Sequence, residues 1–172
     1  MNLEGRICRL RAVEPRDVEV MYAWENDAGL WDVSGTTTPF SRHILERFVE
    51  EQQFDIFQTR QVRMMIETLD CEVVGVVDLF EFDPQNDRAG VGILICGAAQ
   101  RGKGYGFDAL SVLSDYGRNV LDLHQLWCNV GVANTASRAL FRKAGFTEIG
   151  TKKEWHKGAA GYSDEMMMQK IL

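Results

Sequence analysis

One stretch constrains this chain more than any other. It is the apolar run Val91-Gly-Ile-Leu-Ile-Cys96, followed at once by Gly97-Ala-Ala-Gln-Arg-Gly-Lys-Gly-Tyr-Gly106. A short apolar run bounded by glycine reads as a buried strand. Beyond the turn, Phe107, Leu110, Leu113, Tyr116 and Val120 recur at helical spacing, which predicts an amphipathic helix. Strand, glycine turn and helix start together make an anion site, because the N–H groups of a first helical turn have no partner within the helix. Gly102, Gly104 and Gly106 leave the backbone uncovered, while Arg101 and Lys103 add positive charge. Helix-end electrostatics contributes about 0.3–1 kcal/mol, and each charge-assisted hydrogen bond about 1.5–3 kcal/mol. The stretch predicts a pyrophosphate cradle.

Three phosphate-binding patterns compete for it. The dinucleotide fingerprint G-x-G-x-x-G fails, because Phe107 stands where its last glycine belongs. Gly97, Gly102 and Lys103 satisfy the P-loop G-x-x-x-x-G-K, but Gly104 replaces the Ser or Thr that would hold magnesium. The third pattern, [Q/R]-x-x-G-x-[G/A], is met in full by Arg101-Gly-Lys-Gly-Tyr-Gly106. It resembles the acetyl-coenzyme A loop of the GNAT N-acetyltransferases. A second signature follows in Asn129-Val-Gly-Val-Ala-Asn-Thr-Ala-Ser-Arg-Ala-Leu-Phe-Arg-Lys-Ala-Gly-Phe146. It is similar to that family's strand N-V-x-x-x-N-x-x-S/A and helix L-[YF]-x-K-x-G-F. Within it Asn134 is suited to cap a helix, Leu140, Phe141 and Ala144 face inward, and Gly145 ends the helix.

The rest of the chain agrees. Its 172 residues suit a single domain, 1–172, with a sizeable core. A 45% share of aliphatic and aromatic residues argues against disorder. The net charge of −6 speaks against a general nucleic-acid binder and suits a cationic substrate. Cys8, Cys71, Cys96 and Cys128 are isolated, and His43, His124 and His156 lie far apart, so neither a metal site nor a disulfide framework is expected. With no signal-like segment and no membrane-length apolar run, the expected location is cytoplasmic.

Residues 5–13 predict a first strand. Pro15 opens a helix bearing Val18, Met21 and Tyr22, residues 26–39 read as irregular, and Ser41 caps a helix bearing Ile44, Leu45, Phe48 and Val49. Strands follow at 61–69, 71–82 and 88–96, then the loop helix, a strand at 126–130, the helix 134–144, and strands near 147–155 and 163–171. This order, β-α-α-β-β-β-α-β-α-β-β, is the GNAT order. The resemblance therefore implies an α/β (α+β) fold with a mixed, mostly antiparallel sheet flanked by helices.

The resemblance, to the ribosomal-protein-alanine and spermidine acetyltransferase branch, also implies chemistry. Backbone at Leu94, Ile95 and Cys96 would hold pantetheine, and Arg101, Gly102, Lys103, Gly104, Tyr105 and Gly106 the pyrophosphate of acetyl-CoA, with Asn134 and Ser137 beside them. Acetyl would pass directly to a primary amine in a ternary complex. The amine could be a polyamine, a small amine or a protein N-terminus. Cys96 reads better as a small buried residue than as a nucleophile, having no adjacent His to activate it. A lysine-like amine loses its proton at neutral pH at a cost of about 4–5 kcal/mol, so a base is needed. Phe141 replaces the Tyr that serves as acid in polyamine-acetylating relatives and cannot donate a proton.

Ser137 lies where the ribosomal-protein branch keeps a Ser with a similar role; the alternative is a helix-start hydroxyl. His156 falls where those relatives keep a glutamate, and Tyr162-Ser-Asp164 resembles their Y-x-D. An imidazole suits the task near neutral pH, although His156 also reads as an exposed hairpin residue, and Glu81 or Glu154 could serve instead. Asp32, Glu81 and Asp83 are expected on the acceptor side. Trp31 reads as packing or as a pocket wall, and Gly90 stands where polyamine enzymes carry a glutamate. Partners are then a small-molecule or peptide amine, with no nucleic acid, no membrane and no metal, and with a homo-oligomer left open. The competing functions are a CoA-binding module that has lost catalysis and a P-loop nucleotide-binding protein.

Overall fold

The computed structural model describes residues 3–34, 36–52, 54–158 and 161–172, and of residues 32–34 the backbone alone. Among the described residues, seven strands form one sheet: β1 (Cys8–Ala12), β2 (Val62–Thr68), β3 (Val73–Asp83), β4 (Arg88–Ile95), β5 (Gln125–Gly131), β6 (Thr147–Gly158) and β7 (Gly161–Ile171). Their spatial order is β1-β2-β3-β4-β5-β7-β6. Every neighbouring pair is antiparallel except β4 with β5. That parallel pair requires a crossover, which α5 (Tyr105–Asn119) supplies.

Residues alternate between the two faces of a strand. One face carries Leu10, Ile66, Val77, Leu79, Val91, Leu126, Cys128 and Met168, all buried against Leu110 and Leu113 of α5 and Phe141 of α6 (Thr135–Lys143). Over β1 to β3 the other face is covered by α1 (Val18–Glu25) and α3 (Arg42–Glu51), through Val18, Met21, Leu45 and Val49 packed on Met65 and Val76. Among the described residues, no buried apolar cluster covers that face over β5, β7 and β6.

The helices start where the residue types direct. The Ser41 hydroxyl accepts the Ile44 N–H at 3.2 Å and caps α3, and Asn134 Oδ1 accepts the Ser137 N–H at 3.0 Å and caps α6. Gly145 follows α6 with φ +92°. On α3 only Leu45 and Val49 are buried; Ile44, named with them on this helix, is 52% exposed. Val120, expected on the inner face of the loop helix, lies beyond its last residue and is half exposed. Part of the stretch expected to be irregular is helical, α2 (Ala28–Ser34), and a one-turn α4 (Ile56–Thr59) precedes β2. Propensity alone did not favour α2, with its glycine and β-branched valine.

One buried carboxylate joins the two ends of the fold. Asp108, in the first turn of α5, accepts the N–H groups of Arg6, Ile7 and Cys8 at 3.0, 2.8 and 3.0 Å. Burial pushes its carboxyl up, but the three backbone donors outweigh burial and hold it below the usual carboxylate range. A side chain on Gly5 would come within 2.4 Å of this carboxylate. Because the folded-state value is depressed, the stabilisation is complete above the unfolded carboxyl's range and is lost as pH falls through the folded value. Asp108→Asn should therefore destabilise the protein at pH 7 by about 1–3 kcal/mol, through backbone donors left facing an amide. It should also flatten the loss of stability below about pH 4. Urea melts of both proteins across pH 3–7 check this; parallel pH curves would refute it.

Candidate active site

The parallel pairing of β4 and β5 is short. Arg88, Ala89 and Gly90 pair with Gln125, Leu126 and Trp127, and there the ladder stops, although β4 runs on to Ile95 and β5 to Gly131. The two strands splay and leave a gap in mid-sheet. The Cys96 N–H is taken by the Val74 carbonyl at 2.9 Å, on the β3 side. Antiparallel alternation then turns Leu94 to β3 as well, and Ile93 and Ile95 toward the gap. Of the three strand-end residues singled out in the sequence, Ile95 thus offers its backbone to the opening, with its carbonyl already accepting Arg101 Nε at 3.2 Å.

The loop at the mouth of the gap is built for an anion. Gly97, Gly102 and Gly104 have φ of +78°, +77° and +97°, values that an L side chain rarely adopts. Gly104 precedes α5 and supplies no side-chain cap. Among the described residues, no protein acceptor takes the backbone N–H groups of Arg101 to Phe107. Gly106 is buried against α6, where an added Cβ would lie 3.0 Å from Leu140. Tyr105 is half-buried, and Arg101, Gly102 and Lys103 are exposed. Lys103 Nζ is tethered to Gln100, which in turn holds Glu72.

Beyond the gap lies a cleft of about 750 Å³ on the bare side of the sheet. Leu94, Asn134, Ser137, His156 and Glu165 line it, with Glu25, Arg63 and Asp78 on the opposite wall. The amide of Ser137 is spent on Asn134, but among the described residues its hydroxyl has no partner. Phe141 lies under the cleft, buried edge-to-face on Phe146 at 5.0 Å. Cys96 is buried, and burial pushes its thiol up to about 12, so it is no thiolate at neutral pH.

His156 is brought in by a bulge. Three residues of β6, Lys153 to Trp155, oppose the single Asp164 of β7, and Glu154 takes φ +50°. Asp164 staples the bulge by accepting the Glu154 N–H at 2.9 Å and Lys153 Nζ at 2.7 Å. His156 is drawn back so that its Nε2 meets Glu165 Oε1 at 2.6 Å, and Lys152 Nζ meets Glu165 Oε2 at 2.9 Å. Burial pushes the Glu165 carboxyl up, yet its bonds to Lys152 and His156 hold it below the usual range. Tyr162 is 64% exposed on the same hairpin.

Glu165 was not foreseen. The signal was its alternation with Met166 and Met168, which puts it on the bare face of a strand otherwise read only for its apolar side. Arg63 was missed too: it binds Asp78 through Nε at 2.7 Å and Glu25 through Nη1 at 2.6 Å. The cleft therefore holds three carboxylates (Glu25, Asp78 and Glu165) against one guanidinium, before His156 is counted. A cationic amine suits that balance.

Glu81 stands apart from this cleft. It occupies the bulge at the end of β3 with φ +48° and, with Asp83, lines a neighbouring depression. Asp83 there pairs with Arg88 at 3.1 Å. Trp31 donates its indole N–H to the Glu25 carbonyl at 2.9 Å and braces the end of α1. The side chain of Asp32 and the whole of Gly35 lie outside the described residues. Gly90 has a steric reason: an added Cβ would come within 2.5 Å of the Phe80 ring, which covers the position.

Comparison with known proteins agrees with this geometry. A family model described as "Acetyltransferase (GNAT) domain" matches residues 8–147. The spermidine N(1)-acetyltransferase of Escherichia coli (strain K12) is 30% identical over 145 residues, covering 83% of this chain and 74% of that protein. The uncharacterized N-acetyltransferase p20 of Bacillus licheniformis is 26% identical over 161 residues, covering 92% and 89%. A 36% match to an N-acetyltransferase 9-like protein of Nematostella vectensis is local: it spans 45% of this chain and 39% of that protein's length. Among solved structures, spermidine N-acetyltransferase from Vibrio cholerae in complex with CoA and spermine superposes with a TM-score of 0.86 over 95% of both chains, at 24% identity. A dodecameric structure of that enzyme in an intermediate state superposes with a TM-score of 0.79. With the splayed strands, the open amide loop and the family match over most of its length, this chain belongs to the GNAT acetyltransferases.

Proposed function

We propose that this protein transfers the acetyl group of acetyl-CoA directly to a primary amine within a ternary complex. The observation that carries the reading is the row of unpartnered amides from Arg101 to Phe107 beside the splayed end of β4. A pyrophosphate meets those amides at the positive end of α5, Arg101 and Lys103 add charge, and the pantetheine amide pairs with strand backbone at Ile95. This places the thioester in the cleft lined by Asn134, Ser137, Phe141 and His156. The match to a CoA complex of a Vibrio cholerae relative supports the same donor.

The reaction needs a neutral nitrogen. The acidic walls draw in the ammonium form, and a base then takes its proton. With Glu165 ionised and accepting from Nε2, the Nδ1 of His156 is the nitrogen left to take it, directly or through a water. The amine nitrogen attacks the thioester carbon, the C–N bond forms and the C–S bond breaks. The Ser137 hydroxyl, without a partner among the described residues, donates to the departing sulfur. Phe141 offers no proton and Cys96 no thiolate, so direct transfer needs neither. Glu81, across the bulge, is assigned no proton. A relative named for spermidine supports a primary amine as the acceptor class, and a dodecameric neighbour makes a homo-oligomer the state to test.

Two outcomes are expected. Acetyl-CoA at 100 times its dissociation constant should stabilise the fold by about 2.7 kcal/mol, seen as a rise in Tm that ATP with magnesium does not match. Gly104→Val should abolish the shift, since a branched residue at φ +97° covers the amides and strains the turn. Equal shifts from both ligands would overturn the donor assignment.

With saturating amine, His156→Ala should lower the rate by about 10²–10⁴-fold and erase the acidic limb of the pH–rate profile. Glu165→Gln should weaken the same limb, and Ser137→Ala should slow turnover without moving it. All three variants within a few-fold of the parent would mean that the proton leaves through water alone.

A further inference from the structure

The chain contains six lysines: Lys103, Lys143, Lys152, Lys153, Lys157 and Lys170. Five of them are engaged elsewhere. Lys103 is held by Gln100 on the glycine loop, and Lys143 lies over the Phe107 ring at 4.8 Å. Lys170 projects from the other face of the sheet onto the Ser114 hydroxyl of α5 at 2.9 Å. Lys153 is 77% exposed and paired with Asp164. Lys157 is exposed and follows His156 along the strand, so it points to the opposite face of the hairpin.

Lys152 differs from all five. It stands opposite Glu165 in the β6–β7 ladder, and its side chain is only 29% exposed. Its Nζ meets Glu165 Oε2 at 2.9 Å and Asn129 Oδ1 at 3.0 Å, and both of those residues line the cleft. The other oxygen of the same carboxylate holds His156 Nε2 at 2.6 Å. One carboxylate thus ties a primary amine of the chain itself to the imidazole proposed as base. The way from this amine toward the thioester is open. After Asn129 the cleft wall continues at Gly131, where an added Cβ would meet nothing within 4 Å among the described residues, and Ser137 lines the wall beyond it. The flexible stem of a lysine lets its ammonium leave Glu165 and swing across that space.

We infer that Lys152 is a self-acetylation site: with acetyl-CoA bound and no external amine in the cleft, Lys152 Nζ takes the acetyl group within its own molecule. The inference rests on the acetyl-transfer reading of the same cleft. The ammonium gives one proton to His156 Nδ1, and from there to solvent, and the neutral nitrogen attacks the thioester carbon. The C–N bond forms and the C–S bond breaks. The second proton that nitrogen loses replaces the one that Ser137 gives to the departing sulfur, so an ammonium and a thioester become an amide, a free thiol and a released proton. Acetylation removes the charge of Lys152, which leaves Glu165 to His156 alone and makes the cleft wall more acidic. An amine already seated in the cleft keeps Lys152 from the thioester, so the modification marks protein that holds donor without acceptor.

The test is to incubate the full chain with saturating acetyl-CoA alone and to map acetylation at each lysine by mass spectrometry over time. Lys152 should be labelled about tenfold or more faster than Lys153 and Lys157, which report unassisted chemical acetylation, and its first-order rate should not change when the protein is diluted. His156→Ala should slow the labelling of Lys152 by about tenfold or more and leave Lys153 and Lys157 as they were. Labelling of Lys152 no faster than that of Lys153 and Lys157, a rate that climbs with protein concentration, or labelling that His156→Ala leaves unchanged would overturn the inference. Acetylation of added n-butylamine by the same protein would then leave acetyl transfer standing. Its absence as well, in protein that still binds acetyl-CoA, would overturn both.

Discussion

The structure depends on a pair of strands that stop pairing. β4 and β5 run parallel and share three residue pairs before they diverge, so the middle of the sheet contains two unpaired backbone edges. Unsatisfied backbone groups are costly when buried, and an exposed strand edge invites another chain. Here the opening leads from the glycine loop on one side to the cleft on the other, and a ligand with amide groups of its own is the natural occupant. The parallel arrangement also requires α5 as the crossover, and the first turn of α5 faces the same opening. The opening and the anion site thus arise from one topological choice.

That helix start is held from behind. Asp108 uses the first turn of α5 to gather three N–H groups from residues 6–8, so the start of the strand at the sheet edge is tied to the loop helix. The carboxylate is buried and fully occupied, and the amides ahead of it, from Arg101 to Phe107, have no internal partner among the described residues. The loop is preorganised by glycines at positive φ rather than by bonds within itself. Such a cradle loses little freedom when its anion arrives.

Electrostatics divides the bare face into two regions. Arg63 is desolvated, but Asp78 and Glu25 more than compensate and hold its charge, leaving a net negative wall. Glu165 collects Lys152 and His156 on the other side. The bulge in β6 makes this possible, since without its extra residues His156 would fall further along the hairpin, past the reach of Glu165. Asp164, drawn into the same region by its position next to Glu165, spends both oxygens on holding that bulge. One of the two neighbouring carboxylates shapes the backbone, and the other faces the cleft.

The sequence by itself determined the order of the strands and of α1, α3, α5 and α6, the glycine loop, the caps at Ser41 and Asn134 and the stop at Gly145, because each rests on local periodicity or on a residue's own conformational range. It also determined that Phe141 can supply no proton. Only tertiary structure decided where the strands splay, that Ile95 faces the gap while Leu94 and Cys96 turn to β3, and that Glu165 meets His156. Those depend on register across strands and on a bulge that no local pattern encodes. Glu81 was near the right strand in sequence, but a positive-φ bulge carried it over the neighbouring depression. Asp108 looked like an ordinary first-turn acid until folding brought residues 6–8 to it from a hundred positions away. Local chemistry chose the parts, and long-range pairing chose which of them touch.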